Sequence, residues 1–357
     1  MSNVSIPKTS DTPTTPAKIF IVILNWRNWQ DTIVCAESVL RNRYPKFQTI
    51  IVDNNSQNGS MEYIKEWAEG RLQAPRQPQG PMNHLVFPPV EKPIRYVEHD
   101  RVSAERGGEV AAPEASLILI QTGSNLGYGG GNNVALKYIL RRDRSAYALV
   151  LNNDMAIAPD FLTRAMDGVR GGTIAEAAVV GFPTYHFEEP QRLDTAFIED
   201  RFSQGPTEIV ELPEGDEPLA LGVLAHGAAM LITPKVPVKL IPEEYFLYNE
   251  DCDYCRQIYE NGGSVVVQLD NPVYTRGESK SVGLGSPLQI YYTRRNKLAY
   301  CKKYYSKTAY WTILARMAYS TLRGYLKSSV RGDRVKARAY YLSFLHHLRG
   351  TKGRTWV

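Results

Sequence analysis

Cysteine is scarce in this chain: four in 357 residues, at Cys35, Cys252, Cys255 and Cys301. That excludes a disulfide scaffold, and a chain of this length buries a core without one. No apolar run reaches the ~18 residues that a membrane-spanning helix requires. The phosphate-loop pattern G-x-x-x-x-G-K-[ST] is absent. The stretch Gly127-Tyr128-Gly129-Gly130-Gly131-Asn132 departs from G-x-G-x-x-G at its last position, so the common nucleotide motifs lose their support. Cys252-x-x-Cys255 lies in an acidic helix start, where carboxylates raise a thiol's pKa. It has no second pair of zinc ligands at matching spacing, and both cysteines read as structural. His226, His346 and His347 form no metal or triad pattern, which sets hydrolase triads aside. Residues 1–16 are rich in Ser, Thr and Pro and have no apolar core. A disordered tail and no secretory signal are expected there, hence a cytoplasmic protein.

Acid is nearly absent from one end. Residues 291–357 hold 16 Lys+Arg against the single acid Asp333, and thirteen aromatics, while the whole chain carries a net charge of only +5. A mildly acidic body with a strongly basic C-terminal segment seeks an anionic surface.

What is present is alternation. Residues 17–25, 47–52, 116–121 and 147–151 are short, β-branched apolar runs, read as buried parallel strands. Helical patterns follow them, the first ended by Tyr44-Pro45. The expected fold is α/β: a Rossmann-like, doubly wound, mostly parallel sheet with a C-terminal helical, basic appendage. The second half reads as mixed, with short strands near 177–181, 222–232 and 264–269 and a helix near 250–261. Residues 70–114, with seven prolines, read as an insertion holding one short strand near 94–97. They are expected to lie away from the strand C-termini. The domain reading is a tail over 1–16, a catalytic body over 17–290 and an all-helical basic segment over 291–357.

Several residues could carry chemistry. The glycine-rich turn at 127–131 opens a helix, whose free N–H groups suit a phosphate; a plain helix cap fits equally. Asp53 and Asp154 follow strands, at the edge where α/β sheets bind ligands, although Asp is also a common turn residue there. Glu250, Asp251 and Asp253 open a helix after Asn249. They fit dipole stabilisation, or a general base with Asp251 turned about 100° from its neighbours.

In order along residues 20–296 stand IVILNWRNWQDTIVCAESVL, IIVDNNSQNGS, NLGYGGGNN, LVLNNDM, HGAAMLI, EEYFLYNEDCDYCRQIYENGG and YYTRRN. In this order the chain resembles the GT-A family 2 glycosyltransferases, in their rhamnosyltransferase-like branch. The resemblance implies a nucleoside contact at Asn25 and Asp53, with Asp53 reading the pyrimidine. It implies a nucleotide-side loop at Asn125 and Gly127. Asn152-Asn153-Asp154 takes the D-x-D position, leaving Asp154 as the ligand of Mg2+ or Mn2+ and Asn153 beside the donor. Asp251 matches the catalytic base, Glu250 an acceptor-orienting acid, and Arg294 and Arg295 the segment that closes over the donor diphosphate. A His common after the acidic helix is absent; Thr275-Arg276 stands there.

The activity implied is inverting transfer of a sugar, rhamnose among the candidates, from a dTDP- or UDP-sugar to a glycan or lipid-linked acceptor in surface polysaccharide synthesis. Two alternatives stand beside it: a nucleotide-sugar-binding scaffold without catalysis, and a sugar nucleotidyltransferase. The basic segment shows Trp311, Leu314, Ala318, Leu322 and Tyr325 at helical spacing, which suits an anionic membrane surface. No nucleic-acid motif accompanies the charge, so nucleic acid is not an expected partner. The expected location is the cytoplasm, peripheral to the inner face of the cell membrane.

Overall fold

The structure is a computed structural model that describes residues 15–75, 80–108, 115–170, 174, 176–201, 204–212, 219–276 and 285–356. The expected tail falls almost wholly outside them.

The first half builds a parallel platform. Strands β1 (Ile19–Asn25) and β2 (Phe47–Asp53) are joined by helix α1 (Trp29–Leu40), and helix α2 (Ser60–Ala68) follows β2. Strand β3 (Tyr96–Asp100) and helix α3 (Arg101–Glu105) come next, then β4 (Leu117–Gln121), helix α4 (Gly127–Arg142) and β5 (Tyr147–Asn152). All five strands run parallel, in the order β5-β1-β2-β4-β3. Alternate residues divide between two cores. Ile19, Ile21, Ile23, Ile51, Leu117, Leu119, Leu149 and Leu151 face α1 and α2; Phe20, Val22, Ile50, Val52, Ile118 and Val150 face α4. The register places Asn25 beside Asp53, Asp53 beside Gln121 and Leu24 beside Asn152. The polar strand ends therefore share one edge.

The second half extends and caps that sheet. After β6 (Met155–Ala156) and helix α5 (Phe161–Arg170) come β7 (Val179–Gly181), β8 (Thr184–His186) and β9 (Leu193–Thr195). A hairpin of β10 (Phe197–Arg201) and β11 (Gly205–Ile209) precedes β12 (Leu219–Leu221) and β13 (Ala229–Ile232). Helix α6 (Glu250–Glu260), β14 (Val265–Gln268) and β15 (Val273–Thr275) complete the body. Strands β13, β7, β14 and β12 continue the sheet beyond β5, with β13 and β12 antiparallel to their neighbours. A small sheet, β6-β15-β8-β9, stands beside the strand ends. Helices α7 (Pro287–Tyr304), α8 (Lys307–Val330) and α9 (Arg334–Leu348) pack on one another. Their N-cap side chains, Ser286, Ser306 and Asp333, each accept a backbone N–H three residues on.

Two sequence expectations need correcting. A boundary between 290 and 291 cuts through α7, whose Tyr291, Tyr292, Leu298, Tyr300 and Cys301 are buried; α7 belongs to the body. The insertion does not avoid the strand C-termini. β3 joins the sheet in parallel, so its C-terminal Asp100 pairs with Gln121 at the shared edge. Leu85 and Val86 pack against Val34, Ala156 and Phe187, next to the turn that follows β5.

The insertion is fastened by one buried acid. Glu37 of α1 accepts hydrogen bonds from Trp67 Nε1 at 2.7 Å, the Val90 amide at 2.7 Å and Lys92 Nζ at 2.8 Å. Glu37→Ala strands all three donors. Its expected cost is about 3 kcal/mol of unfolding free energy, read as a lower urea midpoint.

Candidate active site

The strand edge carries a connected polar network. Asn25 donates to Asp53 Oδ1 at 2.6 Å and to Ser56 Oγ at 3.1 Å, and accepts from Thr32 Oγ1 at 2.9 Å. Asp53 is 2% exposed. Its Oδ2 accepts from the Ser56 amide at 3.1 Å and from Gln121 Nε2 at 2.9 Å, and the Ser56 hydroxyl also bonds to Oδ1. Both oxygens are thus committed to protein donors. Asp53 orders the turn after β2, and a base contact at this carboxylate has to displace one of them. Asn153 donates to Thr32 Oγ1 at 3.0 Å, which ties the turn after β5 to the same network.

The glycine-rich turn is a close approach. Asn125 Oδ1 accepts the Gly127 amide at 3.0 Å. Gly127 has φ +76°, and a Cβ there would run into the carbonyl oxygen of Phe246. The same carbonyl accepts the Tyr128 amide at 2.8 Å. Only glycine fits this crossing, and it locks the start of α4 to the loop before α6.

Asp154 has the chemistry of a partly formed cation site. It is buried, and its Oδ1 has no hydrogen-bond partner. Burial first and Asp31 second push its carboxyl up to about 6. The small sheet sets Arg276 opposite, with its amide donating to the Asp154 carbonyl at 2.9 Å. The Arg276 guanidinium pairs with Asp31 at 2.8 Å, while its Nε is buried without an acceptor. Among the described residues no group of three His, Cys, Asp or Glu could hold a metal ion. Asp154 alone therefore fits a hard cation through a single protein bond, and the remaining ligands would have to come from outside the protein.

Glu250 and Asp251 differ by environment. Glu250 is 5% exposed, with Oε2 unpartnered. Burial first, then the neighbouring Asp251, pushes its carboxyl up to about 8. Asp251 is half-buried. Its Oδ2 accepts the Gly227 amide at 2.9 Å and its Oδ1 the Cys252 amide at 2.8 Å, which fixes the carboxylate plane. Asn249 holds the N-cap position at φ +71° but makes no side-chain cap bond. The third acid, Asp253, is structural: Lys303 pairs with it at 2.9 Å and Tyr304 donates to it.

Arg294 and Arg295 are engaged with the helices and the C-terminal residues. Arg294 donates to the Met317 carbonyl at 3.1 Å and Thr321 Oγ1 at 2.7 Å, both on α8. Arg295, 2% exposed, donates to the Tyr245 and Gly353 carbonyls at 2.9 Å and to Thr355 Oγ1 at 2.7 Å. Arg295 is fully engaged in this packing, whereas Arg294 keeps a buried Nε without a partner. Their neighbour Asn296 donates to the carbonyls of Tyr245, Leu247 and Tyr248 at 2.7–3.0 Å. The motif holds the loop that leads into Glu250.

Sequence reasoning passed over Tyr128 and Asp31. The Tyr128 hydroxyl is buried, donates to the Gly227 carbonyl and lies within the fields of Asp251, Glu250 and Asp154. Nothing but its place in a glycine-rich turn marked it. Asp31 in the first turn of α1 reads as an ordinary dipole partner.

Because the folded Glu250 carboxyl keeps its proton to about pH 8 and an unfolded glutamate loses it near ~4.3, stability falls as pH rises between the two. Asp154 acts the same way only up to about 6. Thermal stability is therefore expected to fall as pH rises from about 6 to about 8, and Glu250→Gln to flatten that slope. An unchanged slope in the variant refutes the assignment.

No family model matches the chain. It is 25% identical over 221 residues to the low-salt glycan biosynthesis hexosyltransferase Agl10 of Haloferax volcanii, across 57% of this chain. The match spans 64% of that relative's length. The solved mannosyltransferase PcManGT of Pyrobaculum calidifontis, in complex with GDP-Man and Mn2+, superposes with a TM-score of 0.51 at 13% identity. That superposition covers 94% of this chain and 88% of the other. The sheet order, the capping small sheet and this superposition give the chain the GT-A fold that its ordered motifs imply.

Proposed function

We propose that the chain is an inverting glycosyltransferase that moves a sugar from a nucleotide-sugar donor to a hydroxyl of a glycan or lipid-linked acceptor. The observation that carries this reading is the Asp251 carboxylate held by the Gly227 and Cys252 amides, with the Tyr128 hydroxyl on the Gly227 carbonyl and Asp154 and Glu250 in the same neighbourhood. The three acids come from the start of α6 and the end of β5, at the sheet edge where α/β ligands bind. The glycan-building hexosyltransferase relative supports the reaction class.

Asp251 acts as general base. Two amides orient its carboxylate, and the remaining lone pairs accept the acceptor's hydroxyl proton. The deprotonated oxygen attacks the anomeric carbon from the face opposite the nucleotide. The bond from that carbon to the diphosphate oxygen breaks, a nucleoside diphosphate leaves and the configuration inverts. Glu250, held protonated by burial, donates a hydrogen bond that orients the acceptor. Asp154 would hold Mg2+ or Mn2+, and the ion when bound would supply positive charge for the departing diphosphate. Arg276 adds a second cation beside it. The donors to test first are dTDP-rhamnose and UDP-hexoses, with GDP-sugars in the same panel.

A thermal-shift screen of that panel with Mn2+ identifies the donor, since a ligand at 100 times its Kd adds roughly 2.7 kcal/mol. Turnover is then read as nucleoside diphosphate release. Asp251→Asn is expected to lower it by about a thousandfold while the donor's thermal shift stays the same. Near-normal turnover removes Asp251 from its role. Donor binding without turnover in the native chain favours the scaffold alternative, and pyrophosphate release the nucleotidyltransferase one.

With a single carboxylate at hand, Mn2+ alone is expected to bind poorly, and much more tightly once nucleoside diphosphate is present. Calorimetric titration with and without the nucleotide checks this; tight binding to the protein alone contradicts it. Full activity in excess EDTA, lost on Arg276→Ala, would assign the charge to the arginine.

A further inference from the structure

We propose that α8 docks the protein on an anionic membrane, lying in the plane of the lipid interface. This inference does not depend on the transfer reaction. It begins with the two faces of α8. Ala309, Ile313, Leu314, Thr321 and Ser328 are buried against the rest of the protein. The opposite face keeps a second apolar stripe that none of the described residues covers: Trp311 at 63% exposure, with Tyr319, Leu322, Leu326 and Val330 all more than half exposed. Their spacings of 8, 3, 4 and 4 residues keep them within about 100° of arc. Over 19 residues the stripe is about 28 Å long.

The sequence pattern had placed Leu314 with Trp311 and Leu322. The structure separates them, because Leu314 belongs to the body-facing side. The exposed stripe is therefore additional apolar surface, and a solvated helix has no use for it.

The surroundings select the partner. Exposed Arg316, Arg323 and Lys327 border the stripe along one side. On the other side Tyr325 meets Tyr341 of α9, with ring centroids 6.5 Å apart, and exposed Arg338 follows on that helix. The sole acid of residues 291–357, Asp333, is engaged with the Lys336 amide at the start of α9. An apolar stripe with aromatics, edged by cations and free of acids, matches a layer of anionic headgroups over acyl chains. A second copy of the chain would bring the same cations face to face across the stripe. Among the described residues no helix is long and apolar enough to cross a membrane, so the helix lies on the surface.

The test is co-sedimentation of the full chain with vesicles of phosphatidylglycerol and phosphatidylcholine, and of phosphatidylcholine alone. The chain is expected to sediment with the anionic vesicles, to lose most of that binding at high salt, and to bind neutral vesicles at least tenfold more weakly. Leu322→Glu combined with Leu326→Glu is expected to cut anionic binding at least tenfold. Both positions are exposed, so an unchanged thermal midpoint accompanies the loss. A second variant, Arg323→Gln with Lys327→Gln, is expected to weaken binding without reversing the lipid preference. Absence of native binding overturns the proposal, as does binding that the leucine variant leaves intact. A native dimer in light scattering that the leucine variant splits overturns it too, because the stripe would then be a contact between copies.

Discussion

Three backbone carbonyls held by one asparagine carry much of this molecule's design. Asn296 binds the carbonyls of Tyr245, Leu247 and Tyr248, and Arg295 shares the first of them. The loop they hold has Phe246, Tyr248 and Asn249 in the left-handed region, a conformation costing about 1 kcal/mol or more for each such residue. Without the side chains of α7 that loop has no reason to keep its shape. With them, Phe246 presents its carbonyl to Tyr128, Gly127 is crowded to the point where a side chain cannot fit, and α6 starts with Glu250 and Asp251 in place. A motif that resembles a donor-binding segment thus serves the acid pair from behind.

The parallel platform was legible because burial on both faces demands continuous β-branched runs, and those runs stand out in any window. Its polar ends were legible too, since Asn25, Asp53 and Asn152 each follow such a run. Less was legible where strands are three residues long: β8, β9 and β12 leave no periodic trace, and the β10–β11 hairpin carries Glu199, Asp200 and Arg201 in place of an apolar pattern. Side-chain direction was the other blind spot. Arg294 and Arg295 are cations at a motif position, and sequence alone cannot say that α8 and the C-terminal residues absorb both. Tyr128 shows the converse, a residue marked only by its glycine-rich turn whose hydroxyl reaches the carbonyl of Gly227, next to the Asp251 carboxylate.

The small sheet brings an arginine to the place where the family resemblance leads one to look for a histidine. Pairing of β6 with β15 puts Arg276 directly across from Asp154. Asp31 reaches the same place from α1 and pairs with the arginine. Two carboxylates and one guanidinium leave that corner with a single surplus negative charge when all are ionised, and burial reduces it further by favouring protonated Asp154. Asp194 and Glu188 add their fields to that corner, so it stays weakly negative at neutral pH. The pairing with Asp31 means that any anion reaching Arg276 has to compete with a carboxylate already in place.

All four cysteines are buried and unpaired, and each thiol is raised, above all by burial. Thiolate is the reactive form, so none of them competes for an electrophile at neutral pH. The chain therefore comes with a chemically silent surface. A single cysteine introduced at an exposed position of α8 could take a polarity-sensitive dye without any native cysteine being removed, and its colour would report the helix's surroundings in the intact protein.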